Sequence, residues 1–157
     1  MPLSLRIYYE DTDAAGIVYY ANYLRFLERG RTELLRSLGH EQSALATRRD
    51  ALNPTAGSAK PSLDSPIFGQ QIAFAVRSVQ AEYLKPAKLD DLIVVETVVE
   101  SVGRAQVMFS QQVTRDGEQL LDARIRVACI DPLRGKPVPM PSDIYQQLKS
   151  LVAQPAA

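Results

Sequence analysis

Residues 20–39 read YANYLRFLERGRTELLRSLG, and this stretch decides the fold. Leu24, Leu27, Arg31, Leu34 and Leu38 recur at steps of three and four, which gathers them on one side of an α-helix. Arg25, Glu28, Arg29 and Arg36 fall on its other faces. The spacing predicts a helix over 20–38, ended by Gly39, a residue suited to the left-handed position beyond a C-cap. Gly30 inside the helix costs about 1 kcal/mol relative to Ala. Close approach by a sheet or a second subunit would justify that cost.

The flanks supply what the helix packs against. Residues 3–9 (LSLRIYY) read as a strand, and the acidic residues 10–16 as a loop. Residues 51–70 carry three prolines and two glycines with little periodicity, and read as a long loop insertion over 50–70. Four β-like runs follow, over 72–83, 92–102, 105–115 and 119–130. Asp116-Gly117 between the last two is a hairpin signal. In the last run Leu121, Ala123, Ile125, Val127 and Cys129 alternate with Asp122, Arg124, Arg126 and Ala128, a half-buried strand with a basic outer face. Pro132, Pro137, Pro139 and Pro141 predict an extended segment, and 142–151 a short terminal helix. The expectation is a single α+β domain over 1–157, with a five-stranded antiparallel sheet wrapped around one long helix.

Composition narrows the function. The chain has 157 residues, 46% hydrophobic and 23% charged, as expected of an ordinary globular domain. Lys+Arg and Asp+Glu are both 18, so no positive excess favours nucleic acid. No apolar run is long enough to span a membrane. A single cysteine excludes an intrachain disulfide and fits a reducing compartment. The N-terminus turns acidic before any signal-peptide core could form, so cytoplasmic residence is expected.

Familiar motifs are missing. There is no GxSxG elbow, no GxxxxGK[ST] loop and no GxGxxG. One His and one Cys make no zinc set, and no metal ligand is assigned. His40 follows Gly39 and reads as a C-terminal cap on the helix. Cys129 falls on the apolar side of the last strand and reads as a buried, inert thiol.

Residues 11–23, DTDAAGIVYYANY, carry the chemistry. Two carboxylates, Asp11 and Asp13, sit in a loop. A small-residue stretch with Gly16 then leads into the start of the long helix. Helix N-termini present unpaired N–H groups and partial positive charge. Such a site suits a carbonyl oxygen that is acquiring charge. Carboxylate plus oxyanion donor is a minimal hydrolytic site for an activated acyl group. The plainer alternative is that both aspartates cap turns and the helix start.

The segment YYEDTDAAGIVYYANYLRFLERGRTELLRSLG, with its DxDxxGxVYxxxY pattern, resembles the signature of hotdog-fold acyl-CoA thioesterases of the 4-hydroxybenzoyl-CoA thioesterase branch. Within that branch the chain is most similar to the Tol–Pal-associated acyl-CoA thioesterases of Gram-negative bacteria. The resemblance resumes in FAVRSVQAEYLKPAKLDDLIVVETVVES and ARIRVACIDPLRGKPVPMP, and omits roughly 50–70 and the last few residues. It implies a hotdog fold and hydrolysis of an acyl-CoA thioester to free acid and CoA. It implies Asp13 as the catalytic carboxylate and the backbone N–H of Tyr20, seven residues on, as oxyanion donor. Many Tol–Pal relatives carry histidine where this chain has Tyr20. A backbone donor survives that change, whereas a histidine side-chain role does not. The loop residues Gly16, Ile17, Val18 and Tyr19 are implied to contact substrate. Arg104, Lys85, Lys88 and Arg77 are candidates for the CoA phosphates, Arg104 first because a turn lets its guanidinium reach bidentately. No cofactor is implied. Relatives pair as homodimers or homotetramers, and acyl carrier protein is an alternative acyl donor.

Two rivals remain at this point. A hotdog hydratase or dehydratase needs a histidine in the site, and His40 lies beyond the far end of the helix. A non-catalytic acyl-CoA or acyl-carrier-protein binding module, tied to the Tol–Pal envelope system, would keep the fold and not need Asp13.

Overall fold

Alternating inward apolar side chains give the sheet its concave face. In a computed structural model, which describes residues 1–41, 45 and 71–152, five strands form one antiparallel sheet. They are β1 (Pro2–Arg6), β2 (Ala73–Tyr83), β3 (Leu92–Val102), β4 (Gln106–Arg115) and β5 (Glu118–Ile130), in the order β1-β3-β4-β5-β2. Val95, Thr97 and Val99 of β3, Phe109, Gln111 and Val113 of β4, and Leu121 to Cys129 at every second position of β5 are buried. Register shifts at Val76/Ser78, Val99/Ser101 and Val113/Thr114 interrupt the ladders. Such bulges bend and twist strands, which helps a sheet curl around a helix. Asp116 and Gly117 both have positive φ, 51° and 79°, so the β4–β5 hairpin turns where the Asp-Gly pair predicts.

The helix α1 spans Asn22–Ser37, shorter than the predicted 20–38 by its first two residues and its last. Its buried face is Tyr23, Phe26, Leu27, Gly30, Arg31, Leu34 and Leu35. Leu24, placed in the apolar stripe by periodicity, is 40% exposed. It lies on the flank of α1, lining a groove with Val76 and Val79 of the edge strand β2. The centre of the buried face is Gly30. A Cβ there would come within 2.6 Å of Thr97 Oγ1 and 2.9 Å of Val95 Cγ1, so the helix lies against β3 at a distance only glycine permits.

Beneath that contact runs a polar chain. Arg31 Nη1 donates to Gln111 Oε1 at 2.8 Å, and Gln111 Nε2 donates to Thr97 Oγ1 at 2.8 Å and to the Leu27 carbonyl at 2.9 Å. These partners satisfy Gln111 and Thr97 despite near-complete burial. Burial pushes the Arg31 guanidinium below its ordinary pKa.

Past Leu38, the Gly39 N–H donates to the Arg36 carbonyl and the His40 N–H to that of Leu35, with Gly39 at φ +91°. This Schellman end uses the His40 backbone. The imidazole, expected to cap α1, instead meets Gln147 on α2 (Ser142–Ser150). The proline-rich segment is not extended throughout. A turn closes where Gly135 N–H donates to the Asp131 carbonyl, and extended chain resumes as Val138 and Met140 N–H groups bond Cys129 and Arg104 carbonyls. The first strand ends at Arg6, not at 9, because Tyr9–Asp11 coils into a 3-10 turn. The 50–70 insertion lies outside the described residues. Among the described residues no helix is long and apolar enough to cross a membrane.

Candidate active site

The two aspartates of the DTD triplet have opposite environments. Asp11 is buried, with 7% exposure. Its Oδ2 accepts the Tyr8 N–H at 2.8 Å and its Oδ1 accepts Asn22 Nδ2 at 2.8 Å. Its carbonyl accepts the Tyr19 N–H at 3.0 Å. Asp11 therefore binds both arms of the loop to the first residue of α1.

Asp13 is exposed at the loop tip. Its Oδ1 accepts the Ala15 N–H at 2.8 Å, while the described residues give Oδ2 no partner. The Asp13 N–H donates to the Ile17 carbonyl and the Gly16 N–H to that of Asp13, closing a turn that Gly16 completes at φ +77°. A side chain at that φ would be strained. Both aspartates thus act in turns, as the plainer reading expects, but only Asp13 keeps an oxygen facing solvent.

The loop leads to a helix start with an open donor. The Tyr19 carbonyl accepts the Asn22 N–H at 2.8 Å. Among the described residues the Tyr20 N–H has no acceptor, as expected for a group ahead of the first helical turn. No hydrogen bond links Asp13 to Tyr20; the antiparallel Thr12–Val18 pairing sets their separation. Around the helix start stand aromatic rings: Tyr19 and Tyr20 with centroids 4.8 Å apart, and Tyr83 at 6.5 Å from Tyr20 and 5.5 Å from Tyr23. Tyr23 turns its hydroxyl inward, accepting the Ala87 N–H at 2.9 Å. Burial raises its phenol pKa, against the lowering effect of that N–H.

The remaining predicted site residues divide. Gly16 and Tyr19 are exposed on the loop, and Ile17 is half-buried. Val18 is 3% exposed and its N–H donates to the Ala87 carbonyl, so it is a core residue with neither side chain nor amide free for substrate. Lys88 pairs with Ile17 in an isolated bridge, which brings it to the loop. Lys85 is engaged by Glu118 at 2.8 Å. Arg77 sits on the exposed edge strand at the β2 register shift. Arg104 is exposed in the β3–β4 turn, the far end of β3 from Lys88. The eleven residues of β3 hold those ends roughly 33 Å apart, so one chain does not bring Arg104 to Asp13.

Three neighbours escaped the sequence reading. Asn22 lay inside the motif, yet its carboxamide bond to Asp11 has no spacing signature. Tyr83 reaches the Tyr20 carbonyl from 63 residues away, at 2.8 Å. Asp91 bonds Arg115 at 2.6 Å beside the Lys88 amide. Although burial pushes the Asp91 carboxyl up, the Arg115 guanidinium and the Lys88 N–H together hold it below its usual value.

Comparison with known proteins gives the family and the fold. Residues 8–148 match the model of the Thioesterase-like superfamily. The chain is 40% identical to the acyl-CoA thioesterase YbgC of Haemophilus influenzae, over 89% of this chain and 88% of that one. It is 36% identical to the acyl-CoA thioester hydrolase YbgC of Escherichia coli, over 92% of each. Its fold matches the crystal structure of a probable thioesterase from Bartonella henselae at a TM-score of 0.74 and 30% identity, covering 90% of this chain and 98% of that one. The central helix in its curved antiparallel sheet is the hotdog fold, and the chain belongs to the thioesterase-like superfamily.

Proposed function

We propose that the protein hydrolyses acyl-CoA thioesters to the free acid and CoA, with Asp13 as the catalytic carboxylate and the Tyr20 N–H as oxyanion donor. The observation that carries this reading is the contrast within one triplet. Asp11 spends both carboxylate oxygens on structural donors, while Asp13 holds one oxygen open to solvent on the loop that leads to an unpaired helix-start amide. The YbgC relatives are named for acyl-CoA thioester hydrolysis.

In the favoured sequence an Asp13 oxygen attacks the thioester carbonyl carbon. The carbonyl oxygen takes the charge and is held by the Tyr20 N–H and the helix dipole. Collapse expels the CoA thiolate, which takes a proton from water, and leaves an acyl–aspartyl anhydride. Water then adds to the anhydride, releasing the free acid and the Asp13 carboxylate, and the proton it gives up neutralises the hydroxide left when the thiolate was protonated. The alternative is that Asp13 deprotonates water. Direct attack needs no proton transfer in the step that breaks the thioester, and this favours it.

Assembly completes the site in this reading. Among the described residues strand β2 is an open edge with Val76, Val79 and Tyr83 exposed, and unpaired edges invite strand addition. Antiparallel β2–β2 pairing about a two-fold axis reverses the second sheet. The Arg104 turn of one subunit then lies at the same end of the assembly as the Asp13 loop of the other. That arrangement lets Arg104 act on CoA phosphates across a homodimer, or across a dimer of dimers, where one chain alone does not. Residence in the cytoplasm and a place beside the Tol–Pal system belong to the same proposal, resting on the likeness to that branch.

The test is release of free CoA, followed with a thiol reagent, from a panel of aliphatic and aromatic acyl-CoA and acyl-carrier-protein thioesters. Turnover supports the hydrolase. Tight binding without thiol release overturns it in favour of an acyl-carrier binding module.

A further inference from the structure

We propose that Tyr83 is a positioning residue for the oxyanion site: its hydroxyl clamps the carbonyl of Tyr20, in the peptide unit that directly follows the one whose N–H faces the thioester, and so restrains rotation at Tyr20. The inference rests on the reading of the Tyr20 amide given above.

The Tyr20 N–H belongs to the peptide joining Tyr19 to Tyr20. That unit is held directly where the Tyr19 carbonyl accepts the Asn22 N–H at 2.8 Å, and the peptide before it is held by the Tyr19 N–H, which donates to the Asp11 carbonyl at 3.0 Å. In a trans peptide the N–H points opposite to the carbonyl, so a carbonyl turned into the helix turns the Tyr20 N–H out of it. On the downstream side the helix supplies no such hold. The Leu24 N–H goes to the Ala21 carbonyl at 3.1 Å. The Tyr20 carbonyl is taken instead by the Tyr83 hydroxyl at 2.8 Å. Tyr83 is the last residue of β2, opposite Leu121 of β5, so the clamp ties the helix start to the sheet.

Tyr83 is suited to the task. Its ring stands edge-on to Tyr23 at 5.5 Å and to Tyr20 at 6.5 Å, which limits how the phenol can swing. At 47% exposure it is no core residue, so its hydroxyl can be removed without opening a cavity in the interior. Burial, with Tyr20 adding to it, raises the phenol above its ordinary pKa, and the hydroxyl remains a donor through neutral and mildly alkaline pH.

The test compares Tyr83→Phe, Asp13→Asn and the unaltered full chain by steady-state release of CoA from the best acyl-CoA of the panel. Phe keeps the ring and deletes only the donor. Loss of an oxyanion donor costs about 10²–10³ in kcat, and a loosened one less, so the expected result for Tyr83→Phe is roughly a tenfold fall in kcat with KM within about twofold. Melting temperature should fall by no more than about 4 °C, the shift a chain of this size shows on losing one hydrogen bond. A kcat within twofold of the unaltered chain overturns the clamp. A change confined to KM overturns it as well, because that marks a substrate contact. A fall in kcat matched by a large loss of melting temperature assigns Tyr83 a general structural role and overturns it too. Asp13→Asn separates the two levels. If Asp13→Asn is inactive and Tyr83→Phe is unimpaired, only the clamp fails; if Asp13→Asn is fully active, the hydrolytic site and the clamp fall together.

Discussion

The Asp11 carboxylate and the Asn22 carboxamide are joined by a 2.8 Å hydrogen bond that fixes the start of α1 to the turn before the loop. The same carboxylate holds the Tyr8 N–H from its other oxygen. Asp11→Ala would leave both donors facing a poorly solvated space. A buried donor without a partner costs about 1–3 kcal/mol. We expect Asp11→Ala to lose about 2–3 kcal/mol and lower Tm by about 5–10 °C for a chain of this size, measured by thermal unfolding. Asp11→Asn should lose less, because Asn22 can reverse its amide to face the new one.

Asp13 should show the opposite pattern. Among the described residues its carboxylate has one partner, the Ala15 N–H, which an Asn oxygen can equally accept. Asp13→Asn should leave Tm unchanged and lower kcat by at least about 10²-fold. A small activity effect of Asp11→Asn beside a large one of Asp13→Asn isolates the charge at position 13. Near-full kcat in Asp13→Asn would remove that residue from the chemistry.

These two predictions mark where sequence reasoning stops. Strand and helix positions were legible because they repeat: period two in β3 to β5, and steps of three and four in α1. The Gly39 and Asp116-Gly117 turns were legible because local backbone demands choose the residue. The DxD motif located the loop, but which acid faces solvent depends on Asn22 and Tyr8, and no spacing rule reports that. Leu24 and Val18 were misplaced for related reasons. Periodicity locates a helix side but not its edge, and a loop motif does not say which of its residues turn inward. Tyr83 and Arg104 depend on long-range topology, in one case across a strand edge and in the other along the whole of β3.

Gly30 carries a prediction about packing. Ala gains about 1 kcal/mol of helix propensity over Gly. At this position its Cβ would sit 2.6 Å from Thr97 Oγ1 and 2.9 Å from Val95 Cγ1. Thr97 cannot swing away freely, because its hydroxyl accepts from Gln111. Overpacking of this kind costs about 1–3 kcal/mol. Gly30→Ala should therefore be destabilising in urea titration, with an unchanged m-value. A stabilised variant would show that the helix can lift off β3.

Cys129 is fully buried on the inner face of β5 and its thiol is pushed up to about 11 by burial. Only a small fraction is thiolate at pH 8, and no reagent reaches it without opening the sheet. In the native protein it should resist a disulfide reagent for as long as the fold lasts, and react at once in denaturant. Rapid native labelling would mean that β5 opens locally.

Asp91 should set part of the acid limb of stability. Burial opposes its ionisation, but the Arg115 guanidinium at 2.6 Å and the Lys88 N–H at 2.8 Å outweigh it and hold the carboxyl below the ordinary aspartate range. A group whose folded pKa is depressed binds its proton more readily in the unfolded chain. Its contribution is therefore complete above the unfolded value and is lost as pH falls through the lower folded one. Asp91→Asn removes that titration. The variant should be less stable than the unaltered protein at pH 7, and the difference should shrink as pH falls below about 4. Urea unfolding at pH 7, 4 and 3 measures this. An Asp91→Asn penalty that is the same at all three pH values would show that the Asp91–Arg115 pair makes no pH-dependent contribution to stability.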